Sequence, residues 1–172
     1  MLRAATPADF GFIRGLAQRP DYAPFITDED EAALSAYLAS PAARLLIWQG
    51  PEGTADGEAE GYALFCGLGT PSGVVELRRL ALARPGQGRG AGFVAALVDH
   101  GFEVLGAGRL WLDASGENPR AMTLYERAGF RREGVLRRHW WRPDPGAEGG
   151  GRLVDQHLFG LMREEWATRR AA

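Results

Sequence analysis

With 172 residues, 45% of them hydrophobic and 24% charged, the chain is long enough for one domain with a proper core, expected to cover residues 1–172, and ordinary in polarity for a globular protein. Its apolar runs are too short to span a bilayer, and a formal net charge of −2 makes nucleic acid a poor partner. A single cysteine, Cys66, excludes disulfides within the chain, and the first fifteen residues carry Asp9 and lack the apolar core of a signal peptide, so a reducing cytoplasm is expected.

Taken in order, Leu2–Ala5 reads as a first strand. Thr6 stands as N-cap, Pro7 at the first helical position and Asp9 as capping-box partner, which opens a helix to about Gln18. After Pro20 comes a loop, Asp21–Ile26, and then Thr27 caps a second helix whose first turn, Asp28–Glu31, is acidic as the helix dipole favours; Pro41 ends it. Arg44–Trp48 and Gly61–Leu68 read as strands joined through the polar segment Gln49–Glu60, an antiparallel hairpin with a mobile tip. Cys66 falls in that apolar pattern, which predicts a buried, inert thiol. A turn at Thr70–Gly73 leads to the strand Val74–Leu82. After a glycine-rich turn, Phe93, Val94, Leu97, Val98, Phe102 and Leu105 recur at helical spacing. Arg109–Asp113 is a short strand, Asn118 and Pro119 open a helix to Ala128, and Gly129 stops it. Phe130 begins a strand rich in arginine and tryptophan over residues 131–142, Pro143–Gly151 is a loop, Leu153–Leu161 is a last strand paired with the one before it, and a polar tail that frays follows Trp166. Repeats are absent.

The glycine turn, LALARPGQGRGAG over residues 80–92, carries the chemistry. A helix entered through it points unpaired backbone N–H groups outward with the dipole behind them, an anion site suited to a diphosphate. Glycines at 86, 88, 90 and 92 permit positive φ and close approach of a phosphate. Two readings of the spacing compete. Gly86, Gly88 and Ala91 fit the dinucleotide fingerprint G-x-G-x-x-G/A, with Asp113 ending the next strand where a ribose-binding acid would sit, but Ala83–Pro85 separate strand from glycines and a full doubly wound sheet has no room. In the other frame, Gln87, Gly90 and Gly92 form Q-x-x-G-x-G, the signature of the GNAT superfamily of acyl-CoA-dependent N-acetyltransferases.

Four pieces in the right order resemble that superfamily across nearly the whole chain: the strand Glu76–Leu82, the turn Gln87–Gly92, the helix Asn118–Gly129 with Leu124, Tyr125 and Phe130, and the strand pair after it. The segment Gly129–Gly134, with Arg137 and the strand Asp155–Leu161, is similar to the branch that holds ribosomal-protein N-terminal acetyltransferases and some small-amine acetylators. The resemblance implies an α/β fold of order β-α-α-β-β-β-α-β-α-β-β, a mixed sheet splayed open at the site of acetyl-CoA, the co-substrate. It places pantetheine along backbone groups near Leu80 and Leu82, and the diphosphate on Gln87, Gly88, Arg89, Gly90, Ala91 and Gly92 with Arg89 adding charge. Asn118 and Tyr125, two turns apart, share a helix face. Asn118 is then a cofactor contact or an N-cap; Tyr125 is the general acid that protonates the leaving thiolate, or a packing residue. Glu76 is the candidate base, with exposure to solvent, pairing with Arg78 or substrate binding as alternatives, and a backbone N–H near Leu82 would meet the oxyanion.

The partner implied is an amine: a protein or peptide α-amine first, a polyamine, amino acid or aminoglycoside second, attacked directly in a ternary complex. A non-catalytic acyl-CoA sensor is the alternative of another class, and a homodimer is an assembly the resemblance implies. His139, Trp140 and Trp141, with Tyr22 and Phe25, are candidates to wall the acceptor site or to pack in a core or dimer surface. His100 and His157 show no metal-ligand spacing, so no metal is expected. Residues 1–72 hold four arginines against ten acids and the remainder sixteen against twelve, so a phosphate-rich cofactor suits the back half and a cationic substrate the front, unless the charge only solvates the surface. Every basic residue is arginine, which removes lysine self-acetylation.

Overall fold

Alternation along two strands decides which way the sheet faces. In β2 (Ala43–Gln49), Leu45 and Ile47 turn to one side and Leu46 and Trp48 to the other; in β3 (Ala59–Cys66), Tyr62, Leu64 and Cys66 oppose Ala63 and Phe65. All nine side chains are buried, because helices cover both faces of the sheet. The computed structural model describes residues 1–49, 58–144, 146 and 150–171. Most of the expected hairpin tip within Gln49–Glu60 lies outside those residues.

Seven strands form one sheet in the order β1-β2-β3-β4-β5-β7-β6, where β1 is Leu2–Ala4, β4 Val74–Leu82, β5 Arg109–Ser115, β6 Arg131–Pro143 and β7 Gly151–Met162. Every neighbouring pair is antiparallel except β4 and β5. On one face, α1 (Phe10–Ala17) and α2 (Glu31–Ala39) bury Phe10, Ile13, Leu16 and Leu34. On the other, α3 (Arg89–Asp99) and α4 (Pro119–Ala128) cover Phe65, Leu77, Leu110 and Phe159, and Phe93, Val94 and Leu97 of α3 are fully buried.

Several local expectations change. A single 3-10 turn, Pro7–Asp9, precedes α1, and the Asp9 carboxylate accepts from both the Thr6 amide and the Thr6 hydroxyl. Thr27 caps nothing: Asp30 is the cap of α2, accepting from the Ala33 amide at 2.8 Å. Asp28 instead holds Arg14 of α1 and Gln18 just past its end, so that acid serves a tertiary contact and not the helix dipole. The central helix relaxes into a π-helical turn over His100–Val104, where a Cβ on Gly101 would meet Leu110 at 2.8 Å. Phe130 belongs to the core ahead of β6. The tail does not fray: Arg163–Ala171 form α5, fastened by Trp166, which stacks on Phe102 and donates to Asp99 at 2.8 Å. Cys66 is buried, and burial raises its thiol pKa. Among the described residues no helix is long and apolar enough to cross a membrane.

Candidate active site

β4 and β5 run side by side for three residues only, Val74–Glu76 against Arg109–Trp111, and then separate. A bulge starts the divergence: Leu64 faces Arg79 and Phe65 faces Leu77, which leaves Arg78 unpaired and increases the local twist. Beyond it the Ala83 amide donates to Glu60 of β3 at 2.7 Å, so by strand alternation the backbone groups of Leu82 and Leu80 turn away from β3 into the opening. The opening holds a cavity of about 610 Å³.

At one end of this cavity lies the glycine turn. Gly86 and Gly88 have φ of 95° and 76°, and Gly88 caps α3 from the left-handed region that other residues avoid. Gly90 lets α3 approach α4; a Cβ there would sit 3.3 Å from Leu124. Gln87, Gly88, Ala91 and Gly92 follow the turn on its exposed side. The first-turn N–H groups of α3 therefore meet solvent at the cavity rim with no side-chain cap, which suits a diphosphate. Arg89 is committed elsewhere: with Arg84 it binds the carboxylate of Glu60, which is 2% exposed. The Arg120 guanidinium also reaches the turn: its Nη2 lies 3.8 Å from where a Cβ of Gly86 would be. Sequence reasoning passed over Arg120, although its place in the first turn of α4 was readable.

Asn118 accepts from the Ala121 amide at 3.1 Å, so it is the N-cap of α4, and it also lines the cavity. Two turns on, Tyr125 reaches the cavity wall with its ring edge-on to Phe130 and Phe159. Burial, with smaller contributions from the Asp113 charge and from Tyr22, drives its pKa well above the ordinary phenol value. Among the described residues nothing hydrogen-bonds its hydroxyl. Glu76 is not at the cavity wall. Its Oε2 receives Nε and Nη2 of Arg78 at 3.0 and 2.7 Å, the pairing across the strand face that its sequence context allowed.

Tyr22, Phe25 and Trp140 also line the cavity. Trp140 is aimed inward by a second irregularity, where Arg137–His139 loop out of β6 around Asp155; Arg138 takes φ of 48° and donates its amide to Asp155 at 2.8 Å. Trp141 and His139 face solvent instead. The Tyr22 hydroxyl accepts from the Leu82 amide at 2.9 Å and donates to the Leu82 carbonyl at 3.0 Å. Leu82 thus has both backbone groups engaged by Tyr22, whereas Leu80 lies beyond the last β5 pair. Asp113 of β5 lines the same cavity. Water reaches its side chain through the cleft, but surrounding protein desolvates the carboxyl and raises its pKa, with the Glu76 charge adding to the rise and Gln156, Arg79 and Arg78 opposing it. Among the described residues no three His, Cys, Asp or Glu side chains gather as a metal site.

Leu80, Leu82, Gly90, Asn118 and Tyr125 thus meet at one cavity, with the glycine turn at its rim. A model of the acetyltransferase (GNAT) family matches residues 10–130, from α1 through α4. The chain belongs to that family. The splayed sheet is the fold of that family. Over 82 residues the chain is 30% identical to an uncharacterised N-acetyltransferase, p20, of Bacillus licheniformis, a match over 48% of this chain and 42% of that protein, less than half of its length. Spermidine N-acetyltransferase from Vibrio cholerae, solved in complex with CoA and spermine, superposes with a TM-score of 0.82 at 19% identity over 97% of each chain. A dodecameric form of the Vibrio cholerae enzyme in an intermediate state gives 0.78 at 21% identity, over 98% of this chain and 96% of that one. At such identities the likeness is one of fold.

Proposed function

We propose that this GNAT protein transfers the acetyl group of acetyl-CoA to a primary amine of a small molecule, by direct attack with both substrates bound. Acetyl-CoA supplies an activated thioester carbon. The chain's own groups then have distinct tasks. The N–H groups at the start of α3 and the guanidinium of Arg120 hold the diphosphate, and Leu80 offers its free strand edge to the pantetheine arm. Tyr125 gives its phenolic proton to the departing sulfur. Its raised pKa keeps that proton in place across the working pH range.

The observation that carries the choice of acceptor is the aromatic lining of the cavity. Tyr22, Phe25 and Trp140 wall it, and Phe25 is itself covered by Arg142, 5.5 Å from its ring centre. A walled pocket of this kind suits a small amine, whereas the α-amine of a protein, the acceptor implied by likeness to the ribosomal-protein branch, needs an open groove for the following residues. That spermidine acetyltransferases share the fold agrees with this choice.

Release of free thiol from acetyl-CoA, followed with polyamines, amino acids, aminoglycosides and N-terminal peptides, tests the reading. Turnover on one of the small-amine groups with none on peptides is the expected result. Turnover on peptides alone removes the small-amine assignment, and firm acetyl-CoA binding without turnover on any acceptor moves the chain to the sensor class.

A further inference from the structure

An amine is protonated at neutral pH, and its nitrogen has no lone pair until a base removes a proton. Glu76 is absent from the cavity wall and bound at two points by Arg78. Three other carboxylates line the cavity: Asp21, Asp113 and Glu117. Asp21 is held by Arg19 at 2.8 and 2.9 Å. Glu117 is held by Arg142 and by two nitrogens of Arg152. Among the described residues only Asp113 of the three has no arginine at hydrogen-bonding distance; the neutral amide of Gln156 is the side chain that acts on it most strongly.

Its placement fits a reacting group. Asp113 lies two residues past the last β4–β5 pair, where the strands have parted, and it lines the cleft there while its backbone stays paired with Leu158 of β7. Glu76, Arg78 and Arg79 of β4, Gln156 of β7 and Tyr125 of α4 act on or are acted on by its charge. The carboxylate and the Tyr125 phenol therefore border one space from two elements, as a base and an acid on one reacting centre must.

Resting on the acetyl-transfer reading above, we propose that Asp113 receives the ammonium group of the acceptor and takes the proton that the nitrogen must lose before it attacks. The freed lone pair forms the new N–C bond at the acetyl carbon, the C–S bond breaks, and its electron pair leaves on sulfur, which Tyr125 protonates. The proton on Asp113 passes to solvent. The second proton, shed as the amide forms, restores the Tyr125 hydroxyl through solvent. Sequence order hid this role, because Asp113 ends a strand where only a ribose-binding acid was considered.

The test is a comparison of two acceptors in the purified full chain: an alkylamine that the wild type turns over and the matched O-alkylhydroxylamine, whose nitrogen is already unprotonated at neutral pH. In Asp113→Asn, kcat/KM for the alkylamine should fall by about a hundredfold or more, while the O-alkylhydroxylamine loses less than about fivefold and acetyl-CoA binds as before. The acidic limb of the alkylamine pH profile, set by Asp113 in the wild type, should move up to the titration of the amine itself in Asp113→Asn and come back down in Asp113→Glu. Equal losses on both acceptors, or a near wild-type Asp113→Asn beside a hundredfold loss in Glu76→Gln, would overturn this assignment alone. A wild type that binds acetyl-CoA and acetylates no amine overturns the transfer reading and this assignment with it.

Discussion

The Tyr22 hydroxyl closes a two-way contact with one residue of β4: it accepts from the Leu82 amide at 2.9 Å and donates to the Leu82 carbonyl at 3.0 Å. An added strand would use that same donor and acceptor, and in the function proposed above the pantetheine arm is such a strand. Tyr22 sits in the Asp21–Ile26 loop, so a cofactor bound at Leu82 would compete with a contact that anchors this loop. Tyr22→Phe removes the competitor and keeps the ring. We expect acetyl-CoA to bind about fivefold more tightly, the equivalent of about one net hydrogen bond. Calorimetric titration of the two proteins reads this directly, and weaker binding in Tyr22→Phe would show that the hydroxyl helps hold the cofactor.

Tyr125→Phe keeps the edge-on packing against Phe130 and Phe159 and deletes only the proton donor. Turnover should fall by about 10²- to 10³-fold with acetyl-CoA affinity unchanged. The sign of the pH effect follows from the raised pKa. A general acid works while it is protonated, and burial holds this phenol protonated beyond the ordinary value of about 10, so the wild-type rate should show no basic limb from Tyr125 below about pH 10. Turnover within a few-fold of wild type in Tyr125→Phe would return the residue to a packing role.

At Gly61 the constraint is steric. A Cβ there would stand 2.7 Å from the Ala81 carbonyl oxygen and 3.0 Å from a methyl of Leu82, across the β3–β4 pair. Gly61→Ala must push β4 outward beside the stretch that edges the cavity. A loss of about 1–3 kcal/mol in stability is expected, larger than the gain of about 0.5–1 kcal/mol from a stiffer unfolded chain, together with weaker acetyl-CoA binding. Denaturant titration and cofactor titration of the same sample check both halves; unchanged stability would mean the strands give way without cost.

What could be read in advance was what depends on neighbours in the chain. The alternation in Leu45–Trp48, the run of glycines at 86–92 and the helical spacing of Phe93, Val94 and Leu97 each specify a local form, and order along the chain then specified the fold. The errors came where partners lie far apart in sequence. Arg89 looked free for phosphate because Glu60, which binds it, is 29 residues away. Asp28 looked like a first-turn acid serving the helix dipole because Arg14 and Gln18 cannot be seen to face it. The residues after Trp166 looked like a fraying tail because none of that helix is buried and its anchors, Trp166 on Phe102 and Arg169 on the Arg127 carbonyl, reach partners far away in sequence. Which carboxylate stays clear of arginine was equally invisible, since Arg142 and Arg152 reach Glu117 from 25 and 35 residues away.

Asp9 gives the protein an acid-sensitive clamp on its first turn. Arg3 reaches its two oxygens at 2.9 and 2.7 Å, and the Thr6 amide and hydroxyl reach Oδ2 at 2.8 and 3.0 Å. The Arg3 hydrogen bonds foremost bring the carboxyl down to about 2 against the burial that would raise it. A carboxyl with a lower pKa folded than unfolded contributes stability that is full above the unfolded value of about 3.9 and is lost as pH falls through the folded one. With Arg3 about a third exposed, the contribution is about 1–2 kcal/mol after solvent screening. Asp9→Asn should therefore unfold more easily than wild type at neutral pH. The gap should begin to close below about pH 4 and be nearly gone at about pH 2. Urea midpoints at stepped pH measure the gap, and one that stays constant down to the acid end would mean that packing around Asp9, and not its charge, holds the turn.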